Sequence, residues 1–275
     1  MNRVLALTAL FVPAIAAAQV NTEQYRSDDV EGQSTYVEVD FGLKKGNVDL
    51  LSGGVDLGST WTGEQNQLLL VVDGAFASKR TLSDYEEDSD TDLLSADARF
   101  INKILAHGRF NHDLGSRLSL EIFSQAEKNE FLLMDRRLLA GVGPRMVLLD
   151  SEQISLAMGL AYMLEHERLH LESIDPAQQD RDTLAHRGTS YLSGSVTIAD
   201  ASSLGGTVYI QPRMTDISDF RALGELQMSV SISEVLALGI EFSFRHDSQP
   251  PVVSDATPDL MATDLAVTQS LSLTF

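Results

Sequence analysis

LAVTQSLSLTF, residues 265–275, decides how the rest of the chain is read. Leu265, Val267, Leu271, Leu273 and Phe275 share one parity, and Ala266, Thr268, Ser270, Ser272 and Thr274 share the other. Side chains on a strand point alternately to its two faces, so this stretch reads as a strand with one apolar and one polar side. A lone strand of this kind also suits the edge of a soluble sheet. What separates the two readings is whether the preceding residues repeat the pattern.

They do. Upstream lie Leu236, Leu238, Ile240, Phe242 and Phe244, then Leu226, Met228, Val230 and Ile232. Ile154, Leu156, Met158, Leu160, Tyr162 and Leu164 form a further set, and so do Leu118, Leu120 and Ile122. Leu68, Leu70, Val72 and Phe76, and finally Val37, Val39, Phe41 and Leu43, complete the clear ones. Weaker segments fall at 48–61, 96–110, 137–148, 184–198 and 204–213, so twelve are expected from Thr35 onward. In the first of these the apolar parity flips at Gly53-Gly54, which predicts a bulge, and Pro144 removes a ladder donor from the third.

The connections supply a second test. Every other one is short: 62–66, 111–116, 149–153, 199–202 and 233–235. Those between them are mostly long: 78–95, 126–136, 165–182, 214–219 and 247–261, with 45–47 the short exception. Short turns on one side and long loops on the other are the pattern of a transmembrane barrel.

Arg3 followed by the apolar run Val4–Ala18 and ending Ala16-Ala17-Ala18 reads as a secretory signal peptide over 1–18, with 19–34 a polar periplasmic tail and 35–275 the barrel. Beyond Ala18 no apolar run approaches the ~18–20 residues of a spanning helix. Cysteine is absent, so no disulfide assists the exported chain. A formal net charge of -20 argues against nucleic acid as a partner.

In lipid no backbone group can go unpaired, so a sheet there must close on itself. The expected fold is therefore all-β: a single closed antiparallel transmembrane β-barrel of twelve strands in the outer membrane. Trp61, Phe76, Phe110, Tyr162, Phe220, Phe244 and Phe275 fit interfacial aromatic girdles. A C-terminal strand ending on Phe275 resembles the closing strand of outer-membrane barrels, which implies recognition by the barrel-assembly machinery. Lipid and lipopolysaccharide are the other expected partners.

The stretches LSLEIFSQAEKNEFLLMDRRLLAGVGPRMVLLDSEQISLAMGLAYMLE (118–165) and QPRMTDISDFRALGELQMSVSISEVLALGIEFSFRHDSQPP (211–251), with weaker similarity in KKGNVDLLSGG (44–54), resemble the YdiY-like salt-induced outer-membrane proteins. The resemblance implies an outer-membrane barrel whose production responds to salt. It brings no catalytic residues.

Parity predicts a lumen lined by charge. The acids include Glu38, Asp40, Asp56, Asp73, Glu121 and Glu241, and the bases include Lys103, Arg109, Arg137, Arg145, Arg187 and Arg245. Acids crowd the first three strands and bases the fourth to sixth, which predicts an acidic wall beside a basic one. Two functions follow from such a lining. One is a narrow passive pore for small polar solutes or ions, which the resemblance links to salt or osmotic stress. The other is a structural or surface-binding envelope barrel whose lumen charges pair and fill it.

No cofactor, metal or catalytic residue is assigned. Glu165-His166-Glu167 with His170, and the acidic run from Asp84 to Asp92, have metal-ligand chemistry but lack a ligand pattern: no glycine follows Asp88-x-Asp90-x-Asp92. An outer-membrane lipid-modifying enzyme is the third reading. His186 and Ser190 share a parity, but two strand positions of the same face lie more than ~6 Å apart.

Overall fold

The computed structural model describes residues 6–8, 32–44, 48–81, 99–170, 182–199, 201–233, 236–251 and 261–274. They form one antiparallel sheet. Its strands are β1 (Ala6–Thr8), β2 (Gly32–Lys44), β3 (Val48–Thr62), β4 (Asn66–Thr81), β5 (Arg99–Asp113), β6 (Leu118–Asn129) and β7 (Met134–Asp150). Then come β8 (Ile154–Leu169), β9 (Asp182–Ala199), β10 (Ser202–Arg213), β11 (Asp216–Ser231), β12 (Leu236–Asp247) and β13 (Thr263–Thr274).

Strands β2 to β13 pair one after another in sequence order, and β1 pairs with the free side of β13. The sheet thus holds thirteen strands where the sequence predicts twelve. The additional one is a three-residue piece inside the expected signal peptide, aligned Ala6 to Thr274 and Thr8 to Ser272. Closure also differs from expectation, because no ladder joins β2 to β13 among the described residues. The physical reason is visible at the edge, where β1 takes the hydrogen-bonding side of β13 and lies near β2.

The predicted bulge at Gly53-Gly54 is absent. The β2–β3 and β3–β4 registers run through both glycines without a shift. Shifts occur instead at 77/78, 127/129, 134/136, 147/149, 202/203 and 212/213. Two connections are shorter than expected: β6 and β7 are joined by 130–133 and β10 and β11 by 214–215. The first is a tight 3-10 turn, Glu130–Leu132, where the Asn129 side chain accepts from the Leu132 amide and Leu133 adopts φ 56. Phe275 and the acidic run 84–92 lie outside the described residues.

The faces of the sheet are inverted relative to a water-soluble protein. Leu70, Ile122, Val142, Leu160, Leu192, Val208 and Ile240 are exposed, whereas Glu121, Arg137, Glu165 and Arg187 are buried. The sheet rolls up around that charged side. Tyr191 on β9 donates to the Glu121 carboxylate on β6 at 2.8 Å, and the Arg109 guanidinium on β5 lies 5.8 Å from the Tyr191 ring centre. In a flat sheet, three or four strand spacings would hold these groups roughly 14–19 Å apart.

Among the described glycines, Gly143, next to Pro144 in mid-β7, has the backbone of a neighbouring strand nearest to it. A Cβ there would sit 1.9 Å from the Leu160 carbonyl oxygen and 2.5 Å from the Ala161 Cα, both backbone atoms. Gly143→Val must therefore push β7 and β8 apart. The expected loss is about 1–3 kcal/mol or more, read as a lowered urea midpoint of the detergent-folded protein. An unchanged midpoint would contradict the close approach.

Candidate functional site

The candidate site is the charged inner face, and its densest part lies at the end of the sheet that carries the long connections. Glu165, on β8, is its centre. Arg137 on β7 donates to its Oε2 through Nε at 2.8 Å, Arg187 on β9 reaches Oε1 through Nε at 3.0 Å, and Arg221 on β11 reaches Oε1 through Nη1 at 3.0 Å. The side chains of Arg137 and Glu165 are 1% and 2% exposed, so solvent screens them little. Three guanidinium groups on one carboxylate would repel one another if no other anion stood near.

Four further acids supply the balance. Arg221 also binds Glu167 at 2.9 Å and Asp247 at 3.0 Å, and Arg187 binds Asp219 at 2.9 Å. Arg213 reaches the other oxygen of Asp219 at 3.3 Å, and Glu127 lies 3.9 Å from Arg137. The cluster links β6 through β12 into one charge-paired layer.

A second layer sits deeper. Glu121 lies 3.8 Å from Arg109 and 4.0 Å from Arg145, and the Tyr191 hydroxyl completes its surroundings. Two glycines make room for aromatic rings to lie along the wall. A Cβ at Gly141 would fall 2.3 Å from the Phe123 ring, and one at Gly159 would fall 2.1 Å from the Tyr191 ring. Tyr191 packs on Tyr209 with ring centres 5.2 Å apart, and Gln125 hydrogen-bonds His107. The cavity left among these groups measures about 30 Å³, room for about one water.

On the other side, Lys103 meets Asp73 at 2.7 Å. Glu38 stands opposite Asp56 in the β2–β3 ladder, and Asp56 stands opposite Asp73 in the next, a row of three acids. The side chains of Glu38, Asp40 and Asp56 lie outside the described residues. Arg245 meets Asp264 at 3.2 Å, and Glu241 is partly buried on β12. The expected basic wall is discharged locally: Lys103, Arg109, Arg137 and Arg145 each have an acid within 4.0 Å.

Glu127, Glu167, Asp219 and Asp247 are inner-face charges that the apolar alternation of the sequence does not reveal. Each belongs to a strand end that the apolar alternation does not reach. Continuing the inner parity from Glu121 to Glu127, from Glu165 to Glu167 and from Arg245 to Asp247 would have found three of them.

The possible metal cluster is dispersed by the same alternation. Glu165 and Glu167 turn inward to Arg221, while His166 faces Asp182 with Nε2–Oδ1 at 3.6 Å. No set of three metal-ligating side chains occurs among the described residues. His186 shares a hydrogen bond with the Tyr162 hydroxyl through Nδ1, so that nitrogen is engaged by Tyr162.

A family model described as "Protein of unknown function, DUF481" matches residues 37–268. No curated protein matches the chain in sequence. Solved structures similar to it include the translocator domain of the autotransporter NalP from Neisseria meningitidis, at 12% identity and TM-score 0.46, covering 92% of this chain and 91% of that one. Another is the NanC porin, at 7% identity and TM-score 0.43, covering 88% and 96%. A third is the KdgM porin in complex with disordered oligogalacturonate, at 6% identity and TM-score 0.40, covering 83% and 95%.

Removing the central carboxylate should be costly, because Arg137, Arg187 and Arg221 would keep their charges in a buried place. Glu165→Gln is expected to lose about 3–5 kcal/mol in urea unfolding of the detergent-folded protein. Lys128→Ala breaks an exposed pair with Glu130 (2.8 Å) and should cost less than about 1 kcal/mol. Equal effects of the two would contradict the central place of Glu165.

Proposed function

Because the chain belongs to the DUF481 family, described only as proteins of unknown function, we propose its role from its own residues: an outer-membrane β-barrel with a constricted, charge-lined lumen that acts as a narrow passive pore. β2 to β13 make the twelve-stranded wall, closing on each other once the leader carrying β1 has been removed. The solutes are ions or small polar molecules.

The observation that carries this reading is the inversion of the two faces. Exposed Leu70, Ile122, Val142, Leu160, Val208 and Ile240 would form a very large apolar surface in water, where contiguous patches seldom exceed a few hundred Å². In hydrocarbon the same surface is the favourable one. The long strands have 12 to 18 residues, beyond the ~9–11 that cross a bilayer, so their ends stand clear of it. An Arg3-led apolar leader supports export, and the alternating stretch 265–275 is the segment offered to the barrel-assembly machinery.

A sealed envelope barrel is the second reading, favoured by the 30 Å³ cavity and by the pairing around Glu165. The barrel acts in either case without catalysis. Lipid turnover by the purified protein that disappears in Ser190→Ala would overturn this. From the resemblance to YdiY-like proteins comes a link to salt, expected as a several-fold rise of the protein on immunoblots after added sodium chloride. A constant level would remove the link.

Planar-bilayer recording separates the two readings. A pore gives small discrete steps, and Arg137→Glu, which reverses a constriction charge, shifts their ion selectivity towards cations. Silence from a correctly folded, heat-modifiable barrel would show that the paired charges seal it.

A further inference from the structure

The outward face carries a groove that the pore reading leaves unused. Val142 on β7, Leu160 on β8, and Pro212 and Met214 at the end of β10 form its walls, and Gly188 and Ser190 on β9 form its floor. It is a shallow hollow, open on its outer side, with about 460 Å³ of space along it. A Cβ added at Gly188 would meet nothing within 4 Å, so the hollow exists because a side chain is missing there. Neighbouring outward positions hold large residues instead, such as Leu184 and Leu192 on the same strand.

Above the groove, towards the long connections, the outward face carries Leu138, Leu164 and Leu184 and becomes cationic only at its end. Tyr162 and His186 are joined by a hydrogen bond at the groove's upper end. Further along, Arg136 and Arg168 stand opposite each other in the β7–β8 ladder. Like charges side by side are unfavourable unless an anion lies between them. The nearby acids are directed elsewhere: Asp182, opposite Arg168 in the next ladder, reaches His166 at 3.6 Å, and Asp135 reaches His170 at 2.9 Å. Among the described residues neither arginine has a carboxylate within ion-pair distance.

We propose that this face binds one phosphorylated acyl lipid of the outer leaflet, with an acyl chain lying in the groove over Gly188 and a phosphate between Arg136 and Arg168. The site rests on the outer-membrane reading above. Its dimensions suit such a ligand, since six residues of β8 separate Tyr162 from Arg168, roughly 20 Å of extended strand. A headgroup at the arginine row thus places its chain beside Tyr162 and Leu160. Charge complementarity selects a phosphorylated headgroup over a zwitterionic one, because the paired guanidinium groups offer donors to phosphate oxygens.

The test uses the full protein folded into phosphatidylcholine vesicles containing a small fraction of diphosphorylated lipid A, or of the same lipid without its phosphates. After mild detergent extraction, native mass spectrometry counts the lipid retained on each barrel. The unaltered protein should keep the phosphorylated lipid at least tenfold better than the phosphate-free one. Arg136→Ala with Arg168→Ala should remove that preference, and Gly188→Leu, which fills the groove, should reduce retention about tenfold. Undiminished retention in either variant would overturn the site. Vesicle insertion and heat-modifiability, read first on the same samples, keep the two readings apart. A protein that fails to insert sinks the outer-membrane reading and the site together, and one that inserts but ignores the substitutions sinks the site alone.

Discussion

Glu165 is the charge on which the inner architecture depends. A carboxylate with 2% of its side chain exposed has given up nearly all its hydration, and only close cations can offset that loss. Three strands, β7, β9 and β11, each supply one, and the acids Glu167, Asp219 and Asp247 keep those cations from repelling one another. The contact between β8 and β11 spans three strand spacings. It can exist only in a sheet rolled around its polar face, so the curvature of the wall and the neutrality of the cluster require each other.

The two layers of the inner face solve the same problem differently. Near the long connections, charges are paired by arginine forks, whose fixed geometry holds several carboxylates at once. Deeper in, a single acid, Glu121, is shared by Arg109, Arg145 and a tyrosine hydroxyl, and aromatic rings over Gly141 and Gly159 take up the remaining space. The deeper layer is thus tuned by volume as much as by charge.

The strands were legible in the sequence because burial on one side alone imposes a period of two, and here that period survives wherever the outward face is apolar. Leu118–Ile122 and Ile154–Leu164 give β6 and β8 directly. It fails where both faces are polar, which is why β6 runs on to Asn129 and β11 begins at Asp216, and why Glu127, Asp219 and Asp247 were assigned to loops. Gly53-Gly54 misled for another reason. A change of apolar parity can come from small residues inside an unbroken ladder as well as from an inserted one, and the hydrogen-bond register, which composition does not reveal, distinguishes them. Pairing within the basic half was also hidden, since Arg109 and Arg145 come together on Glu121 only after the hairpins form.

Every register shift lies within four residues of the end of at least one strand that it joins, and where the pairing lapses elsewhere, at 143–144 in the β7–β8 ladder and 211–212 in the β9–β10 ladder, the register resumes unchanged. Changes of register are thereby confined to the margins, where a residue gained or lost alters a turn and leaves the central alignment intact. Such a wall tolerates evolutionary change unequally. Its connecting segments can be lengthened, trimmed or exchanged while the sheet keeps its alignment, so relatives sharing this wall are free to diverge most at the surfaces they present to their surroundings.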